Sequence, residues 1–185
     1  MSHPLIIEYS ESLAVLSGDD FQDEVSGRLM AVIIDFQPIP SKPQGDAGID
    51  GLSHHGERAY CCYGLEPDAF KKAKDRERAI IDKFREDLRR IFELDFDQKK
   101  LKHHPNPEMK TILPEGQKIK HIELIVNWFE SHRIVGPLST AAATYAEASQ
   151  CRYVEKTVTI KIVGPKELAI QHGVDEITII TKQKS

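Results

Sequence analysis

Two aspartates, Asp46 and Asp50, lie in a glycine-rich stretch of residue types suited to metal chemistry. The stretch reads Gly-Asp-Ala-Gly-Ile-Asp-Gly over residues 45–51, and a strand-like run follows at 58–63. Carboxylate oxygens suit Mg²⁺ and Mn²⁺, and Mg²⁺ usually takes one or two of them together with waters and a substrate phosphate. A carboxylate at the start of a hairpin is therefore a candidate for metal-dependent phosphodiester cleavage. Asp50 is the better candidate because it directly precedes Gly51 at the start of the strand.

A structural role for both aspartates is the alternative, since Asp-Gly is a favoured turn pair. The next strand carries Cys61, Cys62 and Tyr63, where such a site would want an acid or amide and a lysine. A thiol is a soft ligand and suits Mg²⁺ poorly, and a phenol cannot supply a lysine's cation. A lysine from elsewhere in the chain is an open alternative, and Lys71 and Lys72 are the nearest in sequence.

Histidines and cysteines raise two further alternatives. The histidine pairs at 54–55 and 103–104 could bind Zn²⁺ with a cysteine from 61–62, but no ligand spacing supports such a site. A cysteine nucleophile would need a histidine and an orienting acid, for which His54 and Glu57 are near in sequence. Strand cysteines are more often buried packing residues, which favours the structural interpretation.

Composition indicates an ordinary globular domain. The chain has 185 residues, 40% hydrophobic and 29% charged, which suffices for one domain with a sizeable core. Its net charge of −4 means that any binding to DNA must come from a local basic patch. Three cysteines without framework spacing favour free thiols in a reducing compartment. We therefore expect a cytoplasmic protein with no membrane association.

Two lysine-rich segments are candidates for contacting DNA phosphates. One begins the long helix predicted over residues 69–93, and the other lies in a basic, proline-broken segment at 95–118, predicted to be a long loop. The candidate lysines are Lys71, Lys72, Lys99, Lys100 and Lys102. For the helix, the alternative is a solvated face stabilised by pairs of opposite charge four residues apart.

Apolar periodicity predicts helices and strands that alternate through the second half of the chain. The predicted order is a strand or arm at 5–16, a helix at 20–33, a strand at 34–39, a hairpin over 48–63, a helix at 69–93, a strand at 119–128, a helix at 138–149, a strand at 158–163, a helix at 165–171 and a strand at 176–180. This order predicts an α/β fold, a three-layer sandwich around one mixed β-sheet, as a single domain over residues 1–185.

The chain resembles the restriction-endonuclease-like PD-(D/E)xK superfamily, nearest to its Mrr-type branch. The main matching segments are Phe21-Gln22-x-x-Val25, the turn at 45–51, and Tyr60-Cys61-Cys62-Tyr63. Weaker matches are Tyr63-Gly64-Leu65-Glu66, Ile125-Val126-Asn127, Gly136-Pro137 and Val163-Gly164-Pro165-Lys166-Glu167-Leu168.

The resemblance implies a restriction-endonuclease-like fold and a DNA endonuclease site that uses Mg²⁺ or Mn²⁺. Asp50 matches the metal-binding aspartate, with Asp46 beside it. Cys61 stands where an acid or glutamine is expected, Tyr63 where the lysine is expected, and Gln22 where the helix often offers glutamate. Similar domains belong to prokaryotic anti-phage defence systems, which implies DNA and the proteins of a defence complex as partners. The missing acid-x-lysine pair leaves an alternative, a catalytically inactive module that serves protein assembly or DNA binding.

Overall fold

The computed structural model describes residues 4–40 and 47–171. Within these ranges the chain forms helices on both sides of one sheet, and a separate two-stranded ribbon. The helices are α1 (Pro4–Ala14), α2 (Gly18–Val32), α3 (Ala73–Ile91), α4 (Glu108–Ile112), α5 (Val135–Ala148) and α6 (Pro165–Gln171). The strands are β1 (Gln37–Pro38), β2 (Gly51–Ser53), β3 (Arg58–Tyr63), β4 (Leu94–Asp97), β5 (Lys100–His103), β6 (Ile119–Val126) and β7 (Val154–Val163). No helix in these ranges is both long and apolar enough to span a membrane.

The main sheet is mixed and has the strand order β1-β2-β3-β6-β7. β2 pairs antiparallel with both β1 and β3, whereas β6 pairs parallel with both β3 and β7. In the parallel part Cys61 aligns with Leu124, and Leu124 aligns with Ile162. The predicted mixed sheet is therefore confirmed.

Two apolar cores lie on opposite faces of the sheet, because successive side chains of a strand point to opposite faces. One core joins α3 and α5 to the sheet face that carries Cys61 and Leu124. The other joins α1, α2 and α6 to the face that carries Tyr60 and Ile125. The fold is α/β, and its layers are compatible with the predicted three-layer sandwich.

Three local predictions differ from the structure. Residues 4–14 form helix α1, not a strand or arm, and Leu13 is buried in the core that joins α1, α2 and α6 to the sheet. Part of the segment predicted as a loop at 95–118 forms the β4–β5 ribbon and α4. The ribbon turn places Gln98 and Lys99 at φ of 49° and 67°, a conformation that asparagine and glycine usually mark, so the sequence lacked its usual signal. The helix predicted at 138–149 begins earlier, at Val135, because Pro137 lies in its first turn, where proline is tolerated. The strand predicted at 176–180 lies outside the described residues.

A glycine contact fixes α2 against the end of β3. The amide of Gly18 donates to the carbonyl of Gly64 at 3.0 Å. A Cβ added at Gly64 would lie 2.7 Å from the Gly18 nitrogen and 2.8 Å from Phe21 Cβ. Since both neighbours belong to the start of α2, this contact sets the position of the helix.

We expect Gly64→Ala to lower the free energy of unfolding by about 1–3 kcal/mol, because the added methyl group overpacks this contact. The matched control is Gly27→Ala within α2, where an added Cβ meets no atom within 4 Å. It should stabilise the protein by up to about 1 kcal/mol through helix propensity. Urea unfolding of both variants measures the difference, and equal stabilities would contradict the contact.

Candidate functional site

The backbone around Asp50 is held by the hairpin that the sequence predicts. Asp50 directly precedes β2; its amide donates to the Tyr60 carbonyl at 2.8 Å, and its carbonyl accepts from the Ile39 amide at 2.9 Å. The residue is 8% exposed. These bonds place its carboxylate beside the end of β3.

The Asp50 carboxylate is bound by two donors from different elements. Oδ1 accepts from Gln22 Nε2 of α2 at 2.8 Å, and Oδ2 accepts from the Cys62 amide of β3 at 2.6 Å. The structure therefore brings together Gln22 and Asp50, which are 28 residues apart. These two hydrogen bonds orient the carboxylate.

Helix α3 contributes a lysine and a second carboxylate near Asp50. Lys83 Nζ lies 2.6 Å from Asp87 Oδ1, and the Asp87 side chain is only 3% exposed. Burial works to lower the Lys83 pKa, but the carboxylates of Asp87, then Glu86 and Asp50, outweigh it, so the pKa is raised. Lys83 is therefore a cation within the electrostatic reach of Asp50.

Gly48 lets the aspartate turn pack directly on α3. Its φ is +80°, and a Cβ there would lie 2.9 Å from the Asp87 carbonyl oxygen. The close approach thus needs glycine for both its conformation and its lack of a side chain. It brings the turn before Asp50 against the helix that carries Lys83 and Asp87.

Cys61 and Tyr63 point to the α3 face of the sheet, but neither supplies the chemistry of an acid or a lysine. Cys61 is fully buried, and its thiol donates to the Gly48 carbonyl at 3.1 Å. Burial, then the charges of Asp87 and Asp50, raises its pKa well above the ordinary thiol value. Burial also raises the pKa of Tyr63, which packs edge-on against Phe84 with ring centroids 6.3 Å apart.

Sequence reasoning missed Lys83 and Asp87 because they lie in a helix dense with charges of both signs. One signal was present. Asp87 follows Ile80 by seven residues and precedes Ile91 by four, so it falls on the apolar stripe of α3. A carboxylate on a buried stripe is rare unless it is paired, and here Lys83 is the partner four residues before it.

The donor set suits a hard cation held by few side chains. Asp50 and Asp87 supply carboxylate oxygens, whereas the neutral Cys61 thiol supplies no suitable ligand. Among residues 4–40 and 47–171, no group of three or more His, Cys, Asp or Glu side chains is placed to hold a metal ion. A cation bound here would therefore depend on two carboxylates, waters and a substrate phosphate. Asp46, the other predicted ligand, lies outside the described residues.

The predicted DNA-contacting lysines lie near opposite ends of α3, a helix of 19 residues and about 28 Å. Lys71 and Lys72 precede its first turn and line a groove that also contains Asp68, Asp75 and Asp82. Lys99, Lys100 and Lys102 follow its last turn, in the turn and second strand of the ribbon. In the ribbon Lys102 pairs with Asp97. Carboxylates thus balance both lysine groups in part.

Burial of Cys61 predicts an alkaline loss of stability. The pKa of the Cys61 thiol is raised in the folded protein. Its contribution to the free energy of unfolding is therefore fully present below the unfolded thiol pKa of about 8.5 and is lost as pH rises above that value. The free energy of unfolding should fall by about 1.4 kcal/mol per pH unit more steeply in the parent protein than in Cys61→Ala. Urea unfolding between pH 7 and 10 measures both slopes. Parallel curves would contradict the assignment.

Comparison with known proteins adds no relative to this description. No family model matches the chain, and neither the curated proteins nor the solved structures gave a match. The interpretation of the Asp50 site therefore depends on its own geometry and on the sequence resemblance.

Proposed function

We propose that this chain is a PD-(D/E)xK-like nuclease-fold domain that cleaves DNA, with α3 supplying the groups that strand β3 lacks. The observation that carries the proposal is the ion pair between Lys83 and the buried Asp87, on the helix against which the Gly48 turn before Asp50 packs. The proposed site has two carboxylates and a lysine, as a metal-dependent phosphodiesterase needs. Its oxygen donors would hold Mg²⁺ or Mn²⁺.

Each residue of the proposed site has a separate role. Asp50 and Asp87 would hold the cation, which when bound lowers the pKa of a water and offsets charge on the phosphate. The Lys83 ammonium orients the attacking water and stabilises the negative charge that develops on the phosphoryl oxygens. Gln22 and the Cys62 amide keep the Asp50 carboxylate in one orientation. The neutral Cys61 thiol closes the apolar side of the site and takes no part in proton transfer.

The biological setting in this proposal rests on the resemblance of residues 45–51 and 60–63. It comprises a restriction-endonuclease-like fold, DNA as the substrate, and cytoplasmic action in prokaryotic anti-phage defence beside partner proteins. The mixed sheet, with Asp50 at its hairpin, is consistent with that lineage.

A second candidate function is an inactive nuclease-fold module that binds DNA or partner proteins. Two observations favour it. Both oxygens of Asp50 already accept protein hydrogen bonds, and the α2 side of the site carries Asp19 and Asp23 beside Gln22. Those carboxylates oppose the approach of a polyanion.

Plasmid cleavage separates the two candidates. The parent protein is incubated with supercoiled DNA in Mg²⁺ or Mn²⁺, and nicking is compared with that by Asp50→Asn, which keeps the shape and removes the charge. We expect cleavage by the parent and a loss of about a thousandfold in the variant. Metal-dependent cleavage that survives in Asp50→Asn would exclude this site, and an intact plasmid with the parent would favour the inactive module.

A further inference from the structure

We infer that the groove between α3, the β4–β5 ribbon and α5 binds one nucleotide unit of single-stranded nucleic acid, with its phosphate on Arg89 and its base on Phe96. The groove has a volume of about 570 Å³. It is distinct from the Asp50 site, and its proposed ligand does not require that the protein cleave DNA.

Arg89 is held in one position by aromatic side chains. Its guanidinium carbon lies 4.9 Å from the ring centroid of Phe96 and 6.0 Å from that of Tyr145. Its Nη1 also donates to the Tyr145 hydroxyl at 3.2 Å. A planar guanidinium fixed in this way loses little conformational freedom when it binds a phosphate.

The hydrogen-bonding capacity of Arg89 is mostly unused. A guanidinium has five N–H donors, and the Tyr145 hydroxyl takes one of them. No carboxylate in the described part of the chain forms an ion pair with Arg89, although Asp82 and Glu86 line the same groove. The available donors therefore suit an external anion, and the fork of the guanidinium matches phosphate oxygens.

Phe96 presents an exposed aromatic surface beside this cation. It is 52% exposed, although it lies on the ribbon face that also carries the buried Leu94. Unpaired bases stack on such rings, and the sequence of the strand matters little because every base has a π-face. The exposed ring of Phe96 can thus stack on a base, while the neighbouring guanidinium of Arg89 can donate hydrogen bonds to the phosphate.

Charge and polar groups around the groove favour a strand over an apolar ligand. Arg85 and Arg89 offset the carboxylates of Asp82 and Glu86 in the lining, and the hydroxyls of Thr140 and Thr144 lie on the α5 side. Lys99 and Lys100 sit at the ribbon turn, where neighbouring phosphates of a bound strand would pass. A paired duplex keeps its bases stacked on each other, so only an unpaired base can reach Phe96.

Fluorescence anisotropy with a labelled fifteen-nucleotide oligothymidine in EDTA tests the inference without cleavage or a bound metal. We expect Arg89→Gln to weaken binding about tenfold, and Phe96→Leu about fivefold or more. Arg89→Lys keeps the charge but loses the planar guanidinium that binds phosphate in a bidentate manner and stacks on aromatic rings. Its loss of affinity should therefore be intermediate. The control Lys156→Gln removes an exposed cation from β7 and should change affinity less than twofold. Thermal unfolding confirms that each variant folds.

Three outcomes would overturn the inference. The parent could fail to bind the oligothymidine, or the Arg89 and Phe96 variants could lose no more affinity than Lys156→Gln. The third is that these variants lose as much affinity for a duplex of the same length as for the oligothymidine. Thymidine monophosphate should compete for the groove in the parent and fail to do so in Arg89→Gln. The result is independent of the Asp50 site, because binding in EDTA can hold while the plasmid stays intact, and plasmid cleavage can hold while oligothymidine binding fails.

Discussion

Replacing Lys83 with methionine is expected to slow metal-dependent DNA cleavage by at least about a hundredfold. The ammonium lies within the electrostatic reach of the Asp50 carboxylate, and removing one group that stabilises transition-state charge typically costs this much. Methionine keeps the length and the apolar stem of the side chain but removes the ammonium that pairs with the buried Asp87 carboxylate, so the variant should also be less stable. The loss of rate is measured by plasmid nicking at saturating Mg²⁺, at a temperature where the variant remains folded.

Lys71→Met and Lys72→Met are the matched controls for Lys83→Met, since these are the lysines nearest in sequence that could supply a replacement cation. Both side chains are exposed and precede α3. Each change should lower the cleavage rate by less than about fivefold. If Lys71→Met or Lys72→Met abolished cleavage while Lys83→Met left it intact, the assignment of the lysine to α3 would be wrong.

Asn127→Leu is expected to lower the free energy of unfolding by about 3–5 kcal/mol, the largest effect on stability that we predict. Asn127 follows β6 and is 3% exposed. Its Nδ2 donates to the carbonyls of Leu16 and Leu65, both at 2.7 Å, and its Oδ1 accepts from the Leu65 amide at 2.8 Å. Leucine would remove the partner of the part-buried Leu16 carbonyl and of both buried backbone groups of Leu65.

The near-isosteric Asn127→Asp separates hydrogen bonding from shape. A carboxylate can still accept from the Leu65 amide, but it faces the carbonyls of Leu16 and Leu65 without a donor. We expect a loss of stability similar to that of Asn127→Leu at pH 7, with partial recovery near pH 4 as the acid becomes protonated. Urea unfolding at both pH values measures it. A loss below about 1 kcal/mol in both variants would contradict the role of Asn127.

The parts of the fold that depend on neighbouring residues could be predicted from the sequence. The hairpin of β2 and β3 was predicted from the strand-like runs at 48–53 and 58–63 around a glycine-containing turn, and α2 and α3 follow from apolar periodicity. Gln22 and Asp50 were already candidates because the resemblance matches both of them to site positions. The hydrogen bond between them is a tertiary fact that the structure adds.

The remaining features depend on contacts between distant residues. Nothing near Asp50 in sequence indicates that α3 would bring Lys83 and Asp87 against the hairpin; this needs the close packing of Gly48 on the helix backbone. The position of the Arg89 guanidinium likewise depends on the rings of Phe96 from the ribbon and Tyr145 from α5. Pattern within one element cannot reveal a site that three elements assemble.

A double-mutant cycle on the cleavage rate tests most directly the claim that Asp50 and Lys83 form one site. Plasmid nicking is measured for the parent, Asp50→Asn, Lys83→Met and the double variant at the same Mg²⁺ concentration. If both residues serve one catalytic unit, the double variant should be no more than about threefold slower than the slower single variant. Losses that multiply, or a parent protein that leaves the plasmid intact in both Mg²⁺ and Mn²⁺, would contradict it.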